Sequence, residues 1–207
     1  MAAARGLLGA WLLKDGVGGP IVEAEAYHER EPACHAHRGP TRRNAAMFLP
    51  AGHLYVYRLH RSVCANVVTG PPGEGAAVLV RALWPAVGVE AIASRRAGLP
   101  PRAWLDGPGK VCAGLAISLE DDGRDLLAPD AALRLELRGP PPPGARVLAG
   151  PRVGISRARD LPWRFVVADA GASRGRATPA RDLSPRRGGT SPARPGSRGR
   201  TARPRGS

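Results

Sequence analysis

Residues 21–27, Ile21-Val22-Glu23-Ala24-Glu25-Ala26-Tyr27, predict the strand around which the rest of the chain is organised. Isoleucine, valine and tyrosine favour extended backbone, and side chains alternate between the two faces of a strand. The two glutamates and the tyrosine therefore share one face. Val22 and the two alanines form the other face, which is small, apolar and suited to packing on a core.

The acidic face of this strand has two interpretations. Alternating polar positions are usually solvated, which favours an edge strand with both carboxylates in water. The second interpretation is a buried acid beside an aromatic ring on a rigid strand, an arrangement suited to catalysis. Burial of the carboxylates alone would be costly, so the pattern by itself favours the first interpretation.

Residues 76–83 predict an apolar strand with a single charge, Arg81. An arginine near the end of such a strand needs a carboxylate, a phosphate or solvent. In residues 54–57, Tyr55 and Tyr57 share one face, for which cross-strand packing is the plain explanation. The pattern also predicts short helices at 87–96 and 111–117 and further strands at 63–68, 133–138, 151–155 and 163–167.

Two polar segments raise the question of a metal site. Residues 28–46 form a basic loop, in which Cys34, His35 and His37 could ligate a metal. No second ligand pair lies at a suitable spacing, so loop or substrate contacts are favoured. Residues 121–125 are predicted to be an acidic surface turn, with a metal-binding loop as the less favoured alternative.

Composition limits the kinds of partner. The chain of 207 residues has a formal charge of +14, and only Lys14 and Lys110 among its 31 basic residues are lysines. Arginine excess together with alanine, glycine and proline is partly a product of GC-rich coding. Even so, the charge predicts attraction to polyanions such as nucleic acids.

Residues 169–207 differ from the rest of the chain. They contain ten arginines, two aspartates and no aromatic residue, a net charge of +8. Such a segment cannot bury enough apolar surface to fold, so a disordered basic tail is predicted. It could bind DNA non-specifically, lack a specific role, or be read from a shifted frame.

Cysteine and hydropathy patterns bear on the compartment. The three cysteines form no CxxC pair, which favours a reducing cytoplasm over a disulfide framework. No apolar run approaches the roughly 18 residues of a membrane span, so no membrane segment is expected. The apolar residues 6–13 are interpreted as the first helix or strand of the fold rather than as a signal peptide.

Several short stretches matter through their order and spacing: 21–27, 41–44 with 47–48, 50–52 with 54–57, 64–66, 78–83, 107–110 with Cys112, 125–126, and 152–154 with 162–165. Each stretch is weak alone, but together they are collinear across residues 5–168. In this order and at near-family spacing they resemble the alkyladenine (3-methyladenine) DNA glycosylase family of mammals and many bacteria. The resemblance implies a single α+β domain, residues 1–168, around a curved, mainly antiparallel β-sheet with a few helices.

The resemblance implies a monofunctional glycosylase that flips out an alkylated or deaminated purine and hydrolyses its N-glycosidic bond, leaving an abasic site for base excision repair. Glu25 would activate the water, and Arg81 would position both of them. The implied substrate-binding residues are Tyr27, His35, Tyr57 and Asn66. Tyr27 would stack on the base, His35 would hydrogen-bond the base or its 5′ phosphate side, Tyr57 would close the pocket, and Asn66 would limit exocyclic groups.

The resemblance also implies how DNA is held. Arg42, Arg43 and Lys110 are the candidates for contacts with the DNA backbone. The family's intercalating loop is one residue shorter here, leaving His60 or Leu59 as the candidate wedge. The alternative function is therefore a catalytically impaired, glycosylase-like DNA-binding protein, and a general nucleic-acid-coating protein is a weaker third possibility.

The remaining expectations follow from this implied chemistry. No metal or organic cofactor is required for hydrolysis by an activated water. The partner is double-stranded DNA containing damaged purines, and the protein is expected to be a monomer in the cytoplasm of a bacterium, associated with the nucleoid. Neither Lys14 nor Lys110 occupies a nucleophile's place, so no Schiff-base lyase step is expected.

Overall fold

The computed structural model describes residues 1–138 and 145–168, together with the backbone of Arg181–Asp182. The predicted disordered tail, residues 169–207, lies outside the described residues except for that pair. Arg181–Asp182 forms a two-residue strand beside Arg146–Gly150. The α+β prediction is confirmed: a curved antiparallel sheet carries a few short helices on its surface.

The helices and strands are short apart from the one that begins at Val17. Three single turns of 3₁₀ helix lie between them, at Ala45–Phe48, Pro101–Ala103 and Leu119–Asp121. In chain order the elements are α1 (Ala2–Gly6), β1 (Trp11–Lys14), β2 (Val17–His28), β3 (Leu54–Leu59), β4 (Ser62–Val68), β5 (Ala76–Leu83), α2 (Val89–Arg95), α3 (Pro108–Leu115), β6 (Leu133–Glu136), β7 (Arg146–Gly150), β8 (Arg164–Ala168) and β9 (Arg181–Asp182).

Strand β2 lies at the centre of the sheet. Its first four residues pair with β1, and its later residues pair with β5 on one side and β8 on the other. The order across the main sheet is β3-β4-β5-β2-β8-β7-β9, and β6 extends the sheet through β1. A central strand offers no solvated edge, so the exposed acidic edge strand favoured by the pattern alone is wrong.

The alternation predicted for residues 21–27 is confirmed. Val22, Ala24 and Ala26 belong to the main apolar core, which α1, α2 and α3 help to cover. Ile21 joins the same core because the pairing of β2 with β5 shifts register around Val22. An irregularity of this kind re-aims side chains locally, and such irregularities are frequent beside active sites.

One prediction about the loops is wrong and another fails at a single residue. Residues 151–155 are not a strand: the strand is Arg146–Gly150, and the chain then continues as a loop. Residues 121–125 form the predicted turn with 122, 124 and 125 exposed, but Asp121 is buried and accepts a 2.6 Å hydrogen bond from Lys14. Asp121 also caps its own 3₁₀ turn by accepting from the Ser118 amide.

Candidate active site

The face of the sheet opposite the main core carries a row of side chains that crosses five strands. The pairing places Tyr55 opposite Asn66, Asn66 opposite Leu79, Leu79 opposite Glu25, and Glu25 opposite Arg164. Directly opposed residues point to the same face of a sheet. Glu25 is thereby set on the same face as Asn66, which was predicted to bind a base, and as Tyr55, which shares its face of β3 with the predicted Tyr57.

Glu25 is fully buried, with 0% of its surface exposed, yet two hydrogen-bond donors and a guanidinium group surround its carboxylate. Oε1 accepts a 2.8 Å hydrogen bond from the amide of Val153 and lies 3.3 Å from a guanidinium nitrogen of Arg81. Oε2 accepts a 2.9 Å hydrogen bond from the hydroxyl of Tyr27. The costly burial of an acid on β2 is thus offset by partners from β5, from the loop after β7 and from β2 itself.

The second acid, Glu23, is also buried and forms part of the same charge network. Its Oε1 accepts a 2.8 Å hydrogen bond from Nε of Arg81 and a longer one, 3.3 Å, from Arg164. Arg81 therefore bridges the two carboxylates, as its isolated position in an apolar strand indicated. Two acids and two arginines give this part of the sheet a balanced formal charge.

Burial raises the pKa of Glu25 above its ordinary value, and the charge of Glu23 adds to this effect. Arg81, the Val153 amide and the Tyr27 hydroxyl oppose it, in that order of importance. A carboxylate with a raised pKa is a stronger base than a solvated one, provided that the pH stays high enough to ionise it.

A pocket of about 380 Å³ lies next to this carboxylate. Tyr27, Arg81 and Val153, all of which contact Glu25, line the pocket and separate Glu25 from it. Its volume falls within the usual range for small-molecule sites. The other walls are formed by His35, Tyr55, Tyr57, Cys64, Asn66 and the loop 153–157, among others.

The aromatic wall of the pocket is a packed group. Nδ1 of His35 is hydrogen-bonded to the hydroxyl of Tyr55 at 2.9 Å. The ring of His35 packs edge-on against the ring of Tyr57, with the ring centroids 4.6 Å apart. Burial, and then the nearby charge of Arg43, lower the pKa of His35, so its ring is neutral at physiological pH. Asn66 is buried and donates to the Tyr55 carbonyl at 3.0 Å.

Of the residues predicted to wedge into DNA or hold its backbone, Leu59 lines the pocket, Arg42 and Arg43 line a neighbouring groove, and Lys110 lines neither. Leu59, 46% exposed, lines the pocket, and His60 follows it at the tip of the β3–β4 hairpin with a positive φ of 53°. Arg42 and Arg43 line an open groove that shares His35 and Tyr57 with the pocket. Lys110 lies apart from that groove, on the first turn of α3, paired with Asp106 at 2.7 Å.

These residues and their order match a known family: residues 1–171 match the methylpurine-DNA glycosylase family. The chain belongs to that family. Three relatives support this family assignment, and each is provisionally named a 3-methyladenine DNA glycosylase. Nitrosospira multiformis has one that is 46% identical over 166 residues, 80% of this chain and 83% of the relative. The protein of Agrobacterium fabrum is 48% identical over 163 residues, which cover 78% of this chain and 80% of the relative. The protein of Carboxydothermus hydrogenoformans is 42% identical over 170 residues, which cover 80% of this chain and 88% of the relative.

Family membership makes this protein a DNA glycosylase, a hydrolase that acts on DNA containing damaged bases. In the part of the chain that the structure describes, no helix is long and apolar enough to cross a membrane. Within the same residues, no group of three or more His, Cys, Asp or Glu side chains is placed to hold a metal ion. Of the three residues considered as metal ligands in the basic loop, Cys34 is buried and His37 is hydrogen-bonded to the carbonyl of Glu29.

Sequence reasoning missed part of the site. Arg152 and Glu31 form a buried pair behind Tyr27, Arg164 contacts Glu23, and the Val153 amide reaches Glu25. Residues 152–154 were among the stretches that resemble the family, but their prediction as a strand concealed their role. Contacts between residues 121 positions apart leave no periodic signal in a single sequence.

Proposed function

We propose that this methylpurine-DNA glycosylase is monofunctional: it flips an alkylated or deaminated purine into the pocket and hydrolyses the N-glycosidic bond with a water activated by Glu25. One observation carries the proposal. Glu25 is fully buried behind the residues that line a pocket of about 380 Å³, held by two hydrogen-bond donors and the guanidinium of Arg81, and its pKa is raised. A base in a duplex is out of reach of such a carboxylate unless the nucleotide is extruded.

The contacts of Glu25 leave one acceptor position of its carboxylate unused, and a water could donate to it. A carboxylate has about four acceptor positions on its two oxygens. Val153 and Arg81 meet Oε1, and Tyr27 meets Oε2, so one position on Oε2 remains. A water donating to that position would lose its proton to Glu25 while its oxygen bonds to C1′. The electrons of the C1′–N bond leave with the base, and the negative carboxylate stabilises the oxocarbenium-like transition state.

The pocket walls have roles in recognising the base. Tyr27 and Tyr57 offer aromatic surfaces, which attract electron-poor and cationic alkylated rings more strongly than normal bases. Neutral His35 can either donate to the base or accept from it, and Asn66 presents its amide at a fixed place because the Tyr55 carbonyl holds it. Arg81 holds Glu25 and the water in register.

The monofunctional assignment rests on the distribution of amines. A lyase step through a Schiff base needs an amine near C1′. The chain has two lysines, and neither lines the pocket. Lys14 is bound to Asp121 and the Ala116 carbonyl, and Lys110 is bound to Asp106.

The test is base release from duplexes that contain hypoxanthine, ethenoadenine or 7-methylguanine, followed by alkaline cleavage of the abasic product. We expect the intact protein to release at least one of these bases and Glu25→Gln to lower the rate by about 10²–10⁴-fold, the usual contribution of a general base. The variant should still bind a duplex with an abasic analogue. Release by Glu25→Gln at the unaltered rate would refute the assignment of the base.

A second candidate function is supported by the hairpin. Its short tip, Leu59 to Ser62, supplies a smaller wedge than an aromatic side chain would. Under this alternative the protein binds damaged DNA but flips it too poorly for turnover. Tight binding to the abasic analogue without release of any of the three bases would favour it.

The setting of the reaction completes the proposal. The substrate is double-stranded DNA with a damaged purine, held along its backbone by Arg42, Arg43 and Lys110. We propose that the protein works as a monomer at the nucleoid, in the cytoplasm, where genomic DNA is found. Neither a metal nor an organic cofactor has a step to perform in this mechanism.

A further inference from the structure

The side chain of Arg152 is fully buried and makes contacts in several directions. Its guanidinium donates to both oxygens of Glu31, at 2.6 and 3.0 Å, and to the carbonyl of Ala26 at 2.9 Å. It also lies against two rings, 4.6 Å from the centroid of Tyr27 and 5.2 Å from that of Trp163. Nothing in the proposed reaction has yet used this residue.

The contacts of Arg152 converge on the three residues around Glu25. Ala26 and Tyr27 follow Glu25 on β2, and Val153, whose amide binds Oε1, follows Arg152 itself. The bidentate pair with Glu31 ties the loop after β7 to the loop after β2. One guanidinium thus lies beside Tyr27 and belongs to the residue before Val153, the two residues that donate hydrogen bonds to the carboxylate.

We propose that Arg152, locked by Glu31, is a positioning residue that holds the Val153 amide and the Tyr27 hydroxyl on the catalytic carboxylate. The proposal rests on the role of Glu25 proposed above. It assigns Arg152 no contact with the DNA or the reacting atoms. Its effect passes through the two donors, beside a direct attraction between its charge and Glu25 that Arg152→Lys retains.

The chemistry requires arginine at this position. A planar guanidinium can bind a carboxylate with two parallel hydrogen bonds and lie flat on aromatic rings at the same time. A cation over the ring of Tyr27 withdraws electron density and makes its hydroxyl a better donor to Glu25. A lysine ammonium is a point charge that could not make the forked contact, so Arg152→Lys is not a conservative change.

A purely structural role for the pair of Arg152 and Glu31 predicts a change in stability alone, with no change in the pH dependence of the reaction. Buried ion pairs often add little to stability compared with apolar residues of similar size, but removing one partner alone leaves a costly charge. The double variant Arg152→Met with Glu31→Leu removes both charges and fills the space. It is expected to fold even if Arg152→Met alone does not, while still losing the proposed positioning.

The test is the pH dependence of the single-turnover rate on a duplex with 7-methylguanine. That base is already cationic, so the acid limb reports the ionisation of Glu25 rather than protonation of the leaving group. We expect the acid limb to move up by about one pH unit in Arg152→Met, in Arg152→Lys and in the double variant, because the carboxylate loses well-placed donors. At high pH the rates should approach that of the unaltered protein.

Other groups near Glu25 remain unchanged in these variants, so the displacement can be assigned. Apart from Arg152 itself, the ionisable groups that act on Glu25 or are acted on by it are Glu23, Tyr27, Tyr57, Cys64 and Arg81, with Arg164 in register opposite. Arg95→Met is the matched control. It removes a part-buried arginine that donates to the Gly114 carbonyl, away from the pocket, and should leave the acid limb in place.

The outcomes separate this inference from the proposed function. An acid limb at its original pH in the folded double variant and in Arg152→Lys, while Glu25→Gln is inactive, would overturn the positioning role alone. Full activity of Glu25→Gln would instead overturn the assignment of the base. Combining Arg152→Met with Tyr27→Phe should move the limb by less than the sum of the single displacements, because both changes affect the same donor.

Discussion

Tyr27→Phe removes one hydroxyl and leaves the ring that is proposed to stack on the damaged base. That hydroxyl donates to Oε2 of Glu25 at 2.9 Å, and the carboxylate is fully buried. The hydrogen bond lowers the pKa of Glu25 against the larger effect of burial. Its loss must therefore raise that pKa further, so the base is protonated over a wider range of acid pH.

The size of the effect follows from the hydrogen bond. A hydrogen bond to a charged group contributes about 1.5–3 kcal/mol. A tenfold change in the ionisation constant of Glu25 corresponds to about 1.4 kcal/mol. The acid limb of the rate profile should therefore move up by about one to two pH units. Below the new midpoint the rate falls about tenfold with each further pH unit. Well above it, the rate should lie within about threefold of the original, since the ring is retained.

The assay is single-turnover release of 7-methylguanine from a duplex across the pH range in which the protein stays folded. Tyr27→Leu serves as the comparison, because it loses both the hydroxyl and the aromatic surface. We expect it to be slower at every pH, including alkaline values. Superimposable acid limbs for Tyr27→Phe and the unaltered protein would refute the reasoning, since Glu25 would then not depend on this donor.

Three further variants test other parts of the molecule. Asp121→Ala leaves Lys14 without its carboxylate and should lower the free energy of unfolding in urea by about 2–3 kcal/mol, somewhat less than for a fully buried pair; the rate of the folded fraction should not change. Leu59→Ala should slow release from duplex DNA by about tenfold but have little effect on a single strand, if Leu59 fills the gap left by the base. Arg43→Gln should reduce the slope of log affinity against log salt by about 0.9, the value for one lost phosphate contact, and an unaltered slope would exclude Arg43 from the DNA interface.

The sequence predicted the local part of the site and missed the distant part. Period-two alternation placed Glu25 and Tyr27 on one face, and the charge of Arg81 in an apolar strand required a carboxylate, a phosphate or solvent, of which the structure supplies carboxylates. Neither pattern could show that β2 is central, because strand order depends on pairing between residues far apart in the chain. The family resemblance supplied the curved antiparallel sheet and the expected roles of the side chains, but not the order of the strands.

The wrong predictions have the same origin. Residues 151–155 have the apolar pattern of a strand, but their backbone serves the site instead, with the Val153 amide bound to Glu25. Asp121 has the local signature of a surface turn, and only its contact with Lys14, 107 positions away, explains its burial. A buried polar group depends on its partners, and local composition does not identify them.

The row from Tyr55 through Glu25 to Arg164 has a consequence for how such a gene can change. Each strand presents alternate residues to the pocket and to the core, so inserting or deleting one codon within a strand would exchange the two sets. The same lesion would expose apolar residues and remove the catalytic ones. Length variation that leaves function intact should therefore collect in the connections between strands. Random single-codon insertion, with selection for repair of alkylated DNA, would map the five strands of the row as segments in which no insertion survives.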